Sequence, residues 1–184
     1  KKWKPDFGPP SYSKIVKKNG ATAISARDFL VAYNINLNTT STRRANAIAF
    51  DIREAGRLKR EGNKITGKTI KDSKGKPIRQ PGLFKHVKGI GWFIKEYGIA
   101  QISYNLTNIN ISPLHKVFDK TCECATKRGL RVTGSELVGL VPKKVLVDAG
   151  KYFLKKQERS LGIPEKEIID IAIKTLGLNE LQPF

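Results

Sequence analysis

Methionine is absent from the sequence, cysteine and histidine occur twice each, and 16 acidic residues stand against 35 basic ones. A chain without an initiating methionine is expected to be a processed or truncated piece of something longer. Cys122 and Cys124 fall two apart in an expected helix, where i and i+2 side chains do not face each other. Two such thiols make neither a disulfide framework nor a zinc site, and they read as reduced. His86 sits among Lys85 and Lys88 and is expected to be solvated, whereas His115 stands one residue off an apolar helical stripe and reads as a surface or capping residue. Neither has a carboxylate or nucleophile placed beside it by sequence, so no metal site is expected. No run of about 18 apolar residues occurs, and the opening KKWKPDFGPP lacks the apolar core of a signal peptide. A cytoplasmic protein without a membrane partner is expected.

The sequence does contain enough to bury: 39% of its 184 residues are hydrophobic and 8% aromatic, sufficient for one sizeable domain or two small ones. The net charge of +19 repels itself in a compact state. Nucleic acid, an acidic membrane surface or a polyanionic small molecule could each balance it, and solubility alone is the bland alternative. Composition does not choose among them.

The most informative stretch is Lys88 to Asn110. Two alternating runs flank Tyr97-Gly98 and predict a β-hairpin. On its second arm Ala100, Ile102, Tyr104 and Leu106 share one face, and Gln101, Ser103, Asn105 and Thr107 the other. The second face is polar yet uncharged, unusual for a strand face open to water, so it is expected to meet something.

In chain order, residues 1–28 are rich in proline and glycine and read as a loop with a basic middle. Phe29 to Leu37 predicts a strand whose Asn34 and Asn36 again form an amide face. Thr40 to Lys59 predicts an amphipathic helix with Ala45, Ile48, Ala49, Ile52 and Ala55 inward. Residues 62–81 read as an exposed excursion with a small hairpin turning at Asp72 to Gly75. After the main hairpin, Ser112-Pro113 is expected to cap a helix that Gly129 stops. Arg131 to Gly139 reads as a strand in which Glu136 is a candidate buried carboxylate. Helices are then expected over Pro142 to Gln157 and Pro164 to Leu176.

The order from Phe29 to Gly139 is the α+β, ferredoxin-like βαββαβ plan: a four-stranded antiparallel sheet with both helices on one face. Two extra C-terminal helices are expected to brace an edge. Asn34, Asn36, Gln101, Ser103 and Asn105 would then line the uncovered face. RNA-recognition modules share this topology and stack bases on strand aromatics, and Lys88 to Lys95, KGIGWFIK, echoes their aromatic motif. It falls on the second strand rather than the third, with Ile90 where a ring should stand, and Trp92 is expected in the core. Gly89 and Gly91 resemble a phosphate loop only superficially, since no helix follows them.

Taken together, PDFGP at Pro5 to Pro9, AYNINL at Ala32 to Leu37, IREAGR at Ile52 to Arg57, VKGIGWF at Val87 to Phe93, AQISYNL at Ala100 to Leu106, GSELVGLVP at Gly134 to Pro142 and LGLNELQPF at Leu176 to Phe184 are similar to glutamate formiminotransferase, the folate enzyme of histidine breakdown. The resemblance covers nearly the whole chain. It implies two ferredoxin-like halves stacked through their sheets around folate, with residues 1–28 as the connecting, folate-binding segment and 29–184 as the second half. By the same resemblance Gly8, Pro9, Pro10, Ser11, Tyr12 and Gly20 would contact folate, although Ser13 to Asn19 departs from the family pattern in length and charge. The catalytic histidine belongs to the first half and has no counterpart here. What the resemblance implies is transfer of a formimino group from N-formimino-L-glutamate to tetrahydrofolate, polyglutamylated in nature, without a metal and without nucleic acid, in a homodimer that includes the N-terminal subdomain. A basic RNA-binding module and a non-catalytic remnant of the folate family are the alternatives.

Overall fold

The protein is described from a computed structural model covering residues 5–9, 11–63 and 66–179. Strands β1 (Val31–Leu37), β4 (Val87–Ile94), β5 (Ile99–Leu106) and β6 (Val132–Val138) form one sheet in the order β4-β5-β1-β6, with every neighbouring pair antiparallel. Helices α2 (Thr42–Ile52) and α3 (Leu114–Thr126) cross over between strands and cover one face. This is the expected ferredoxin-like plan. A short ladder of β2 (Arg57–Leu58) and β3 (Arg79–Gln80) closes the excursion. Its hairpin turns as expected at Asp72, whose carboxylate accepts from the Lys74 and Lys76 backbone N–H groups at 2.9 and 2.8 Å.

Alternation along the two central strands decides which face becomes core. Tyr33, Ile35, Leu37, Ala100, Ile102, Tyr104 and Leu106 are all fully buried, and Ala45, Ile48, Ala49 and Ile52 of α2 join them in one cluster with Leu114, Val117 and Ala125 of α3. The two tyrosines carry hydroxyls into this apolar layer and both are satisfied. Tyr33 donates to Ser135 Oγ at 2.9 Å, and Ser135 donates onward to the Leu176 carbonyl at 2.7 Å. Thr121 gives its proton to the Val117 carbonyl, so Tyr104 is the donor in its 3.2 Å bond to Thr121. Burial holds both phenols well above their ordinary range and outweighs the hydrogen bonds to Ser135 and Thr121, which act in the opposite direction.

Gly89 and Gly91 are the places where α2 meets the sheet. A Cβ on Gly91 would come within 2.5 Å of the Asn46 backbone nitrogen, and one on Gly89 would strike the Tyr104 ring at 2.7 Å. The side chain of Asn46 both accepts from the Gly91 N–H (3.0 Å) and donates to its carbonyl (2.9 Å), and Arg53 donates to the Gly89 carbonyl at 3.1 Å. The outer edge of β4 is thereby closed to another strand. At the opposite edge, the end of α5 (Glu165–Leu176) docks on β6 through Ser135 N–H to the Gly177 carbonyl at 2.9 Å, and α4 (Lys143–Lys156) packs against α5. The end of α5 therefore braces the sheet edge as expected, while α4 packs on α5 and α3.

Several local expectations are corrected. A six-residue helix, α1 (Lys14–Asn19), stands in the segment read as loop, because Ser13 caps it through Val16 N–H and the prolines all precede it. The helix expected to reach Lys59 stops at Ile52, since the chain must turn to pair Arg57 and Leu58 with Gln80 and Arg79, and Ala55, expected inward, lies beyond the helix and is exposed. Ser112 does not cap α3: its hydroxyl donates to the Lys85 carbonyl at 2.5 Å, and Pro113 holds the cap position. His115 is buried rather than at the surface, stacked on Tyr152 at 4.5 Å between ring centroids. Both cysteines are free, as expected.

Candidate functional site

The sheet face opposite α2 and α3 is built from the alternate residues of all four strands. Register places Trp92 beside Gln101, Gln101 beside Asn36, and Asn36 beside Gly134. One pair further along, Ile90, Ser103, Asn34 and Glu136 form a second row, and Lys88, Asn105, Ala32 and Val138 a third. The five groove residues expected from sequence do share this face. Asn34, Asn36 and Gln101 are buried within it, while Ser103 is half-buried and Asn105 exposed.

Two expectations about this face do not hold. It is not uncharged, because Glu136 and Lys88 both belong to it. Trp92 is not core: it is 47% exposed and lies on this face. The reason is parity, since the pairing of Gly89 and Gly91 with Tyr104 and Ile102 puts the glycines, not the tryptophan, under α2.

The polar side chains form one connected network. The Trp92 indole N–H donates to Gln101 Oε1 at 2.9 Å, and an indole can only donate. That fixes the orientation of the Gln101 amide, whose nitrogen then donates to Asn36 Oδ1 at 2.8 Å and to Glu136 Oε1 at 2.9 Å. Asn34 donates to the same Glu136 oxygen at 2.8 Å. Both bonds converge on Oε1, which leaves Glu136 Oε2 without a hydrogen-bond partner among the described residues. No buried side-chain polar atom among the described residues lacks a partner. The result is a carboxylate held rigidly with one oxygen presented outward.

Two clefts meet on this face, both lined by Ser103. One, of about 450 Å³, is walled by Asn34, Trp92, Tyr97, Glu96 and Glu136. The other, of about 520 Å³, is walled by Arg53, Glu54, Lys88, Ile90 and Asn105. The first is acidic and aromatic, the second carries two cations. Arg53 is held below its ordinary value, first by burial and then by the charge of Arg79, and its guanidinium lies 4.1 Å from the centroid of the Phe50 ring.

The second set of expected site residues is not brought here. Gly8, Pro9, Ser11, Tyr12 and Gly20 are exposed and line neither cleft, and Pro10 lies outside the described residues. Sequence reasoning missed the centrality of Glu136 and Trp92. Their parity relative to Gln101 was readable in principle, but only once the pairing register was known.

No group of three or more histidine, cysteine or acidic side chains among the described residues could hold a metal, and no described helix is long and apolar enough to cross a membrane. Compared with known proteins, the sequence is 42% identical over 182 residues to formimidoyltransferase-cyclodeaminase of Gallus gallus, covering 99% of this chain and 29% of that protein. It is 40% identical over 182 residues to the Sus scrofa protein of the same name, again covering 99% of this chain and 29% of the relative. It is 38% identical over 154 residues to glutamate formimidoyltransferase of Thermoplasma acidophilum, covering 84% of this chain and 41% of the relative. The chain thus spans less than half the length of these relatives. A sequence model of the family described as "Formiminotransferase domain" matches residues 32–184, from the first sheet strand onward, and the chain belongs to that family.

Proposed function

We propose that the open sheet face is the folate-facing wall of a formimino transfer site, at which the group passes from N-formimino-L-glutamate to tetrahydrofolate. The observation that carries this reading is the Glu136 carboxylate, fixed through Oε1 by Asn34 and Gln101 with Oε2 turned outward beside Trp92. A pterin presents adjacent ring N–H and exocyclic amino donors on one edge, and a carboxylate is their natural acceptor. Trp92 and Tyr97 offer flat apolar surface for the ring itself. Lys88 and Arg53 in the adjoining cleft suit the carboxylates of a polyglutamyl tail.

In this reading the chain binds and orients. Residues 29–184 supply one wall, residues 1–28 the connecting segment with Gly8 to Gly20 closing on folate, and an N-terminal subdomain the opposing sheet and the proton-transferring histidine. Holding both substrates in one groove supplies much of the acceleration, because the amine nitrogen of the folate must reach the formimino carbon in one orientation. General acid–base help then expels the glutamate amine.

The test is direct folate titration of the chain. Folate should bind weakly without turnover, and Glu136→Gln should lower affinity about tenfold, the cost of one charge-assisted pair. Unchanged affinity in Glu136→Gln would remove the wall from the site, and robust turnover by the chain alone would overturn the division of roles. The exposure of Trp92 favours a second reading, single-stranded RNA stacked on the same face. Salt-sensitive RNA binding that folate fails to displace would select it.

A further inference from the structure

Behind the sheet, on the outer side of α2, lies a cleft of about 660 Å³ that the reading above does not use. It is lined by Arg43, Arg44, Arg57, Arg60 and Arg128 around a floor that includes Ala47, Phe50 and Leu58. Asp51 is the carboxylate that serves these arginines, pairing with both Arg57 and Arg128. Five guanidiniums against one carboxylate leave an excess of four positive charges in a single concavity.

Three of the five are pinned. Arg57 also donates to the Ala47 carbonyl at 3.0 Å, Arg128 to the Cys124 carbonyl at 3.0 Å, and Arg60 to the Gly67 carbonyl at 2.8 Å. The other two, Arg43 and Arg44, are exposed and stand in the first turn of α2, which holds no acidic residue. Cations at a helix N-terminus oppose the helix dipole, whose positive end favours anions. A sequence that breaks this rule twice in succession, beside three pinned arginines, is arranged around a negative charge from outside.

We propose that this cleft binds a nucleoside polyphosphate. Planar guanidiniums match phosphate oxygens in bidentate geometry, and a triphosphate carries about four negative charges near neutral pH, the size of the excess. The apolar floor of Ala47, Phe50 and Leu58 accounts for the nucleoside, since bare phosphate would need none. The site faces away from the Glu136 face, so it stands independently of the folate reading.

Isothermal titration of the purified chain with ATP and with inorganic tripolyphosphate tests this. ATP should bind in the micromolar range and at least threefold more tightly than tripolyphosphate. The exposed double variant Arg43→Ala/Arg44→Ala should lose at least tenfold in ATP affinity with unchanged circular dichroism. The charge-matched control Lys151→Ala/Lys155→Ala, on exposed positions of α4, should lose less than twofold. Equal losses in both double variants would show bulk electrostatics and overturn the site. Equal affinity for ATP and tripolyphosphate would overturn the nucleoside, as would single-stranded RNA binding more tightly than ATP with the same dependence on Arg43 and Arg44. Should the double variant misfold, Arg44→Gln alone, expected to lose at least threefold, decides the same question.

Discussion

On the helix-covered face of the sheet, Tyr33, Ile35, Ile102 and Tyr104 are sealed from water by apolar contacts, and their two hydroxyls are tied off one by one to Ser135 and Thr121. On the opposite face Asn36 and Gln101 are almost as inaccessible, at 2% and 0% exposure, yet they are held by hydrogen bonds that run in series from Trp92 to Glu136. The difference is one of tolerance. A packed apolar layer is specified by volume, and a side chain of similar shape can replace another at modest cost. A saturated polar chain is specified by donor and acceptor count, so changing one member leaves its neighbours unpaired. One face stabilises; the other stores a defined arrangement of donors and acceptors, which is what recognition requires.

The division can be broken or sharpened experimentally. Ile102→Ala on the apolar face should cost about 3–4 kcal/mol in denaturant unfolding, the range for a fully buried large-to-small change. It should leave folate affinity within about twofold while the chain stays folded. Gln101→Leu conserves size but strands the Trp92 N–H and the Asn36 carbonyl, and should cost about 1–3 kcal/mol. This smaller loss of stability should come with a larger loss of folate affinity than in Ile102→Ala, read by titration. If Gln101→Leu were neutral in binding, the two faces would not divide their work in this way.

The smallest expected effect concerns His115, outside both faces. Burial comes first among the causes that lower its pKa, followed by the charge of Lys116, with Asp148 and Asp119 acting in opposition. A histidine held below its ordinary value binds fewer protons folded than unfolded, so the stability it supports is present above about pH 6.5 and is lost as pH falls below it. His115→Phe, which keeps the stack on Tyr152, should flatten the unfolding free energy between pH 7 and pH 5, measured by denaturant midpoints. A profile as steep as that of the unaltered chain would assign the acid sensitivity elsewhere.

How much of this was legible beforehand follows from the range of each interaction. Strand alternation in AYNINL and AQISYNL, and the three-and-four spacing of Ala45, Ile48, Ala49 and Ile52, are local signals, and they located the sheet, its two faces and the helix face correctly. The N-terminal helix was hidden because proline and glycine counts outweighed a single Ser13 cap. The end of α2 is not legible locally, because the pairing that stops it lies with residues 79–80, far along the chain. An aromatic in an apolar run reads as core, and only register against Gln101 shows that Trp92 lies on the open face.

The amino-acid order alone determined the βαββαβ succession, the amide-bearing face and the family likeness, because each depends on residues within a few positions of one another. Tertiary structure alone decided that Glu136 joins Asn34 and Gln101, which lie 102 and 35 residues away from it, and that arginines from α2, the β2 region and the end of α3 share one cleft. Periodicity assigns a side chain to a face. Which neighbours it meets there depends on strand order and register, and these are fixed only when the separate elements pack against one core.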